Sequence, residues 1–526
     1  MDAIAPLIPL LPLIAAIIIG IGHFVGLIHG EASEKITARI ATSAISVSFF
    51  IALTLIATDG LGKTSGIYAL QGTFTAGQWL AIGNFSIPIN FINGSFNIRL
   101  VCLFALLLFI VMRFSVNYMH RESGFHRFFF ILNLFAAAML WLVLAGNAIG
   151  TFVGWELAGL CSYLLIAYFH ERPMAVANAT RVFITNRIGD AGFILGIGLS
   201  YTWLDSTQWY DITVAAEHLT AGKANALALC FALAAFVKSA QLPFTPWLAR
   251  AMEGPTPSSA VFYGAIMIHA GVYLVCLLQP LFEHAPMVMI LMAGIGLITA
   301  LYSFFVGLTQ TDVKSSLIFA TSGQVGLMFL ECGLGYWQLA SWHLCAHAIV
   351  RGYQFLTAPS LMHNIQNNPI KSVNPALAKL PWAYIASIQR MWLEPLTDWV
   401  VIKPVRGLAH DLSHFDEHIV NRMMGVAAPS IQTMSSLAQR KEYSLGARLD
   451  NEADEFAQGS GLAGKLTEWS ATLVDWFEDR FVLRNHDKAS GHFGRQLGHA
   501  AHKFEQFILR PRWLVLFVFI LLLTAF

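Results

Sequence analysis

The sequence predicts an all-α fold, a polytopic bundle of membrane helices, on three observations. Hydrophobic residues make up 56% of the 526-residue chain. Charged residues make up only 12%, about half the soluble average. Apolar runs of about 20 residues, the length that crosses a bilayer, recur through the first two-thirds of the chain. A soluble protein could not hide so much apolar surface, because its exterior must be polar. A soluble enzyme and a disordered scaffold are therefore excluded as the main reading. The net charge of +1 offers no basic field to hold a nucleic acid.

The elements follow from where the apolar runs begin and end. About eleven spans are expected, over 5–28, 37–58, 98–117, 128–147, 148–169, 183–204, 225–248, 258–281, 286–308, 315–334 and 337–359. The first starts almost at once with no basic segment before it, so it is expected to be a retained helix and not a cleaved signal. The stretch 60–97 is too polar to span and reads as a short extramembrane hairpin. The six cysteines lie in apolar runs without C-x-x-C spacing, which suggests small buried hydrophobes and neither a disulfide framework nor a metal site.

Charge divides the chain in two. Residues 366–526 hold 17 Lys/Arg and 16 Asp/Glu, more than half of the 32 and 31 in the whole chain. The boundary is expected near Asn364–Pro369, giving a membrane region 1–365, an amphipathic helical tail 366–510 and a C-terminal anchor 511–526. In the tail, Trp392, Leu393, Leu396, Trp399 and Val400 fall at helical spacing, as do Phe415, His418, Ile419 and Met423. Leu396–Trp399 and Leu473–Trp476 form a short internal echo. Arg113, Arg121, Arg127, Arg172, Arg181, Arg187, Lys35 and Lys314 sit in alternate loops, while the other loops have only Lys63 and Lys223. The excess of positive charge predicts an N-terminus outside and a tail that begins in the cytoplasm.

Ionisable residues inside apolar spans are functional candidates, since a charge in the bilayer core costs at least about 2.5–3.5 kcal/mol. Glu156 lies in GWELAGLCSY with more than a turn of apolar residues on each side. A carboxyl there either keeps its proton or takes a cation partner. Lys238 lies in AAFVKSAQLPFTPW. Burial disfavours its charged form and a carboxylate favours it, a balance that suits loading and unloading a proton. Pro243 and Pro246 each remove a backbone donor and break the helix. A broken helix at membrane depth is tolerated where it is buried in protein or lines a wet cavity. Lys238, the break and the following Gly254–Pro257 together suggest a hydrated half-channel. The alternative is a structural Glu–Lys pair inside the bundle.

Farther along stand His269, then His343, His347 and Arg351, the last three at i, i+4 and i+8 on one helix face. A metal reading is weak without a carboxylate, and a proton wire suits histidine better; a satisfied core histidine is the alternative for either alone. Arg187 and Asp190 flank the expected start of a span, as a pair or as interfacial charges. Lys314, beside Asp312, has the same two readings.

These residues resemble the proton-translocating antiporter-like subunits shared by respiratory complex I and Mrp antiporters, the NuoL/MrpA type. The resemblance rests on GWELAGLCSYLL (154–165), KSAQLPFTPWLARAMEGPTPSSA (238–260), AGVYL (270–274), Asp312-Val-Lys314 and His343–Arg351. It covers 125–365 well and 1–124 more loosely. It implies that Glu156 is the channel glutamate, Lys238 the lysine of the broken helix, Asp190 an acid on the intervening helix and Lys314 the lysine of the D-V-K block. It further implies that Glu156 tunes Lys238, which passes protons between half-channels.

Two departures stand out. The family's H-x-x-x-H-x-x-x-K pattern ends here in Arg351, which cannot give up its proton, so that position serves as a fixed field or a plug. The polar tail replaces the family's further spans. The second departure, with FLTAPSLMH (355–363), resembles the DabB branch, the membrane subunits of DabA–DabB (DAB) inorganic carbon transporters. That branch implies a bacterial inner membrane, no cofactor in this chain, and a DabA-like, carbonic-anhydrase-type partner that carries zinc. Proton flow here would then drive hydration of carbon dioxide to bicarbonate there. The rival expectation is a pump or antiporter subunit of complex I, a membrane hydrogenase or an Mrp system. A third is a membrane scaffold whose tail organises a partner. Sodium in place of protons stays open.

Overall fold

The structure is a computed structural model, and it describes residues 4–59, 73–82, 85–92, 94–310, 312–358 and 381–415. These fall into two compact units, divided between Thr397 and Asp398. The expected boundary at Asn364–Pro369, the tail beyond Phe415 and the anchor 511–526 lie outside the described residues.

The first unit is a helix bundle. Its helices are α1 (Leu7–Phe24), α2 (Glu34–Asp59), α3 (Ser95–Tyr118), α4 (Phe125–Leu144), α5 (Ala148–Ile166), α6 (Pro173–Leu204), the short α7 (Trp209–Ala215), α8 (Ala221–Lys238) and α9 (Pro246–Arg250). After these come α10 (Thr256–Ser259), α11 (Ala270–Leu277), the short α12 (Gln279–Glu283), α13 (Pro286–Gly307), α14 (Val313–Gly333) and α15 (Trp337–Thr357). Ten helical segments among the described residues are long and apolar enough to cross a membrane, with Thr256–Leu277 counted as one. The eleventh expected span is α15. Its 21 residues are long enough to cross, at about 1.5 Å each, but too polar to be counted with the ten. The chain is an integral multi-pass membrane protein.

Stretch 60–97 does contain a hairpin. Strands β1 (Thr73–Ile82) and β2 (Phe85–Ile92) pair antiparallel, and β2 is seated on the α4–α5 turn. There Gly146 N donates to Asn90 O at 2.9 Å and Asn147 Nδ2 to Pro88 O at 2.9 Å. The Asn147 side chain also accepts from Gly150 N, capping α5. That cap lets two spans meet with almost no loop.

One boundary differs in a way that matters. The span expected at 183–204 begins at Pro173, in the first turn of α6, and runs for 32 residues. Proline is pre-organised for that position, and nothing in Met174–Arg187 breaks a helix. Arg187 and Asp190 therefore sit near the middle of a helix and not at its start.

The core lies along Thr256–Leu277, which is wholly buried. It is not one regular helix. A π-helical turn covers Ala260–Ala265 and a 3-10 turn covers Met267–His269. Gly271 lets α11 close on α8, because a Cβ there would strike Ala235 O and Ser239 Oγ. Five cysteines are buried and Cys345 is half-buried, all as free thiols.

Beyond α15, the described chain resumes with α16 (Pro381–Ile388) and α17 (Leu393–Thr397), which pack within the first unit. In the second unit, a π turn Asp398–Ile402 leads to α18 (Lys403–Phe415). Val405, Leu408 and Leu412 recur at helical spacing on α18 and are exposed.

Candidate proton-transfer site

Helix α8 delivers Lys238 as its last residue, 1% exposed. The helix then stops. Ala240 takes a left-handed φ of 51°, and the Leu242–Pro243 peptide is cis. Pro246 restarts the chain as the first residue of α9. The backbone groups freed by the break are taken up by neighbours. Leu242 N donates to Thr299 Oγ1 at 3.0 Å and Trp247 Nε1 to Val237 O at 2.9 Å, while Ser239 Oγ ties the break to its neighbour by donating to Ile268 O at 2.7 Å. A buried interruption survives only when such partners exist.

Around Lys238 stand two carboxylates and a guanidinium. Arg187 bridges both acids. Its Nη1 pairs with Glu156 Oε2, and its Nη2 reaches Asp190 Oδ2 at 2.8 Å. Asp190 Oδ1 also accepts from Trp155 Nε1 at 2.9 Å. Lys238 Nζ donates to Trp155 O at 3.0 Å and lies 5.1 Å from the centre of that indole ring, within cation–π range. Lys238 thus makes no direct ion pair with Glu156. Asp190 and Lys238 are joined through Trp155, whose indole donates to the acid and whose carbonyl accepts from the amine. With all four groups ionised, the cluster sums to zero charge.

Gly159 keeps the middle of this cluster open. A Cβ there would lie 3.3 Å from Lys238 Nζ and 3.6 Å from Arg187 Nη2. A small cavity of about 10 Å³ beside it, lined by Ser162, Asn186, Arg187 and Lys238 among others, is about the size of one water.

A second group begins at His269. Its Nε2 meets His347 Nδ1 at 2.8 Å, and Arg351 Nε donates to His347 Nε2 at 3.3 Å. A guanidinium only donates, so His347 Nε2 accepts. His347 is then a neutral ring with its proton on Nδ1, which donates to His269 Nε2. Arg351 also donates to Gln354 Oε1 at 2.7 Å. His343 shares the face of α15 expected for it, with ring centres 6.2 Å from His347. Its hydrogen-bonding atoms turn to α14 instead, Nδ1 to Glu331 Oε1 and Nε2 to Gln324 Oε1, both at 2.9 Å.

Lys314 stands apart from both groups. It does not pair with Asp312, whose Oδ2 caps α14 by accepting from Ser315 N at 3.0 Å. Lys314 Nζ donates to Thr256 Oγ1 at 2.6 Å, and the Tyr118 hydroxyl lies 3.0 Å from the same oxygen. No group of three or more His, Cys, Asp or Glu suited to a metal occurs among the described residues.

Sequence reasoning passed over Trp155, whose indole and carbonyl join Asp190 to Lys238. It also passed over Glu331, although the rule that flagged Glu156, an acid within an apolar span, applies to it equally.

Comparison with known proteins shows the family. Residues 145–381 match the family described as NADH:quinone oxidoreductase/Mrp antiporter, TM. Residues 79–129 match the N-terminus of complex I chain 5. The chain belongs to the antiporter-like family of membrane subunits. This antiporter-like subunit is 35% identical over 377 residues to NAD(P)H-quinone oxidoreductase subunit 5 of the Zygnema circumcarinatum chloroplast, covering 70% of the chain and 52% of the relative. The corresponding protein of Chaetosphaeridium globosum is 36% identical over 385 residues, 70% of the chain and 55% of the relative. The chain therefore spans about half the length of the curated relatives it matches. In fold it is similar to the Mrp complex from Dietzia sp. DQ12-45-1b, with TM-score 0.57 and 24% identity over 71% of this chain and 39% of that one. A chain of the archaeal membrane-bound sulfane sulfur reductase matches at TM-score 0.57 and 20% identity, over 67% of this chain and 70% of that one. These relatives support the NuoL/MrpA-like family; they lend no support to the narrower DabB expectation.

Proposed function

We propose that this antiporter-like subunit translocates protons within a complex I- or Mrp-type hetero-complex, with Lys238 as the loading group. The supporting observation is the pairing of a buried amine with a broken helix and with Glu156, Arg187 and Asp190, whose summed charge the amine balances. When Lys238 releases its proton, two carboxylates face one guanidinium, and the excess negative charge favours recapture. A group held between these states passes a proton on only when a second site accepts it. His269 and His347 are the candidate acceptors, and Lys314 with Thr256 is a candidate exit. Glu156, Arg187 and Asp190 set the field around the amine.

Reconstitution of the native complex in liposomes, with pH-sensitive dye inside, tests this reading. Wild-type protein should acidify or alkalinise the lumen in step with its partner's turnover, and Lys238→Ala should not. Flux that persists in Lys238→Ala, or that follows sodium alone, would overturn it.

Coupling to inorganic carbon uptake is the second reading, favoured by the polar composition of 366–526 where the family continues with spans. It requires a DabA-like partner with zinc and a bacterial inner membrane, the tail facing the cytoplasm. Mass spectrometry and metal analysis of the purified complex separate the two, because flavin, iron–sulfur or sodium-transport subunits would accompany the first and a zinc protein the second.

A further inference from the structure

Glu394, on α17, lies outside every span, yet its side chain is only 14% exposed and is surrounded by three guanidiniums. Arg250 Nε pairs with its Oε1, Arg181 Nη1 approaches the same oxygen at 3.5 Å, and Arg390 Nη1 lies 3.8 Å from Oε2. These arginines come from separate places. Arg181 is on α6, six residues before Arg187 and nine before Asp190. Arg250 is the last residue of α9, the piece that resumes after the break at Lys238. Arg390 is on the turn that leads into α17.

The segment carrying Glu394 is itself fixed to the bundle. Ser387 Oγ donates to Phe305 O at 2.7 Å, and Tyr302 OH donates to Arg390 O at 3.2 Å. The Arg390 guanidinium lies 5.6 Å from the centre of the Phe319 ring. A short helix of five residues such as α9 has little stability of its own. Trp247 holds its near end by donating to Val237 O, and the contacts of Arg250 hold its far end.

We propose that Glu394 is a positioning residue for the Lys238 site. It clasps α9 to α6 and thereby fixes the broken helix against the helix that carries Arg187 and Asp190. One carboxylate is the shared partner of three arginines, so loss of its charge removes a tie common to α6, α9 and the turn before α17 and loosens the far end of α9. Movement of residues 390–397 would act on the proton site in the same way. The proposal rests on the proton-transfer reading for its consequence, but not for its geometry.

Hydrogen–deuterium exchange of the native complex in lipid nanodiscs tests the clasp directly. Glu394→Gln should exchange about tenfold faster across 246–254, the size expected for losing a hydrogen bond between charged groups. Exchange in α13 and α14 should stay at the wild-type level. Glu394→Asp, which keeps the charge, should restore slow exchange at least in part. Should Glu394→Gln fail to accumulate, Arg250→Lys removes the Nε donor while keeping the charge and should loosen 246–254 to a lesser degree. Unchanged exchange across 246–254 in these variants, or equal loosening throughout the bundle, overturns the proposal. Absent proton flux in wild type with the exchange pattern as expected would overturn the functional reading and leave the clasp standing.

Discussion

The two polar groups inside the bundle solve the cost of burial differently. Around Lys238, charge is met by charge, with two acids shared by Arg187 and an amine resting on a backbone carbonyl. Around His347, rings are kept neutral and ordered by a permanent donor, Arg351. The first arrangement changes its net charge whenever one proton leaves, so it responds to a voltage or a neighbour. The second passes a proton only by exchanging tautomers, and its Arg351 end accepts none. The contrast gives the amine cluster the role of a loading site and the histidines that of a wire closed at one end.

The largest effect should come from breaking the loading site. Lys238→Ala should lower proton flux about a hundredfold, as for loss of a positioned proton carrier. Lys238→Arg sharpens the test, since it keeps the positive charge but not the ability to release a proton. Dye-quench assays on liposomes should find both equally inactive. An active Lys238→Arg would mean that the position supplies a field and no carrier.

Glu156→Gln should cost less, about tenfold in flux, the worth of one charge-assisted contact. Arg187 keeps Asp190, and Asp190 is the acid linked to Lys238 through Trp155, whose indole donates to the acid and whose carbonyl accepts from the amine. Asp190→Asn should therefore be the more damaging of the two in the same assay. The reverse order would make Glu156 the acid that governs the amine.

Much of this contrast was legible in the sequence, and the rest was hidden for physical reasons. Composition and run length are properties of the solvent, so the spans, the polar hairpin region and the break after Lys238 could be read from residue types. Glu156 and Lys238 stood out because a charge in an apolar run is costly wherever the chain folds. The start of α6 was misread because a proline that opens a helix and one that ends it look alike without the turn before it. The pairing of Arg187 with Glu156, the Trp155 link and the meeting of His269 with His347 join residues 31 to 83 positions apart. No local pattern encodes such contacts. The irregular turns over Ala260–His269 have no proline or glycine pair to mark them, and the π turn among them packs on α15 and α3.

Arg351→Lys should have the smallest effect and the most specific one. A lysine in this place keeps a positive charge near His347 but can release its proton, so it would open the closed end and raise flux by a few-fold at most. The tautomer assignment gives a readout independent of flux. While Arg351 Nε–H donates to His347 Nε2, the ring must carry its proton on Nδ1. In Arg351→Met the donor is gone, and His347 becomes free to hold its proton on either nitrogen. Nitrogen-15 solid-state spectra of labelled histidine should show one Nδ1–H ring at His347 in wild type and a mixture in Arg351→Met. An Nε2–H ring at His347 in wild type would remove the plug, and with it the difference between an open loading site and a closed wire.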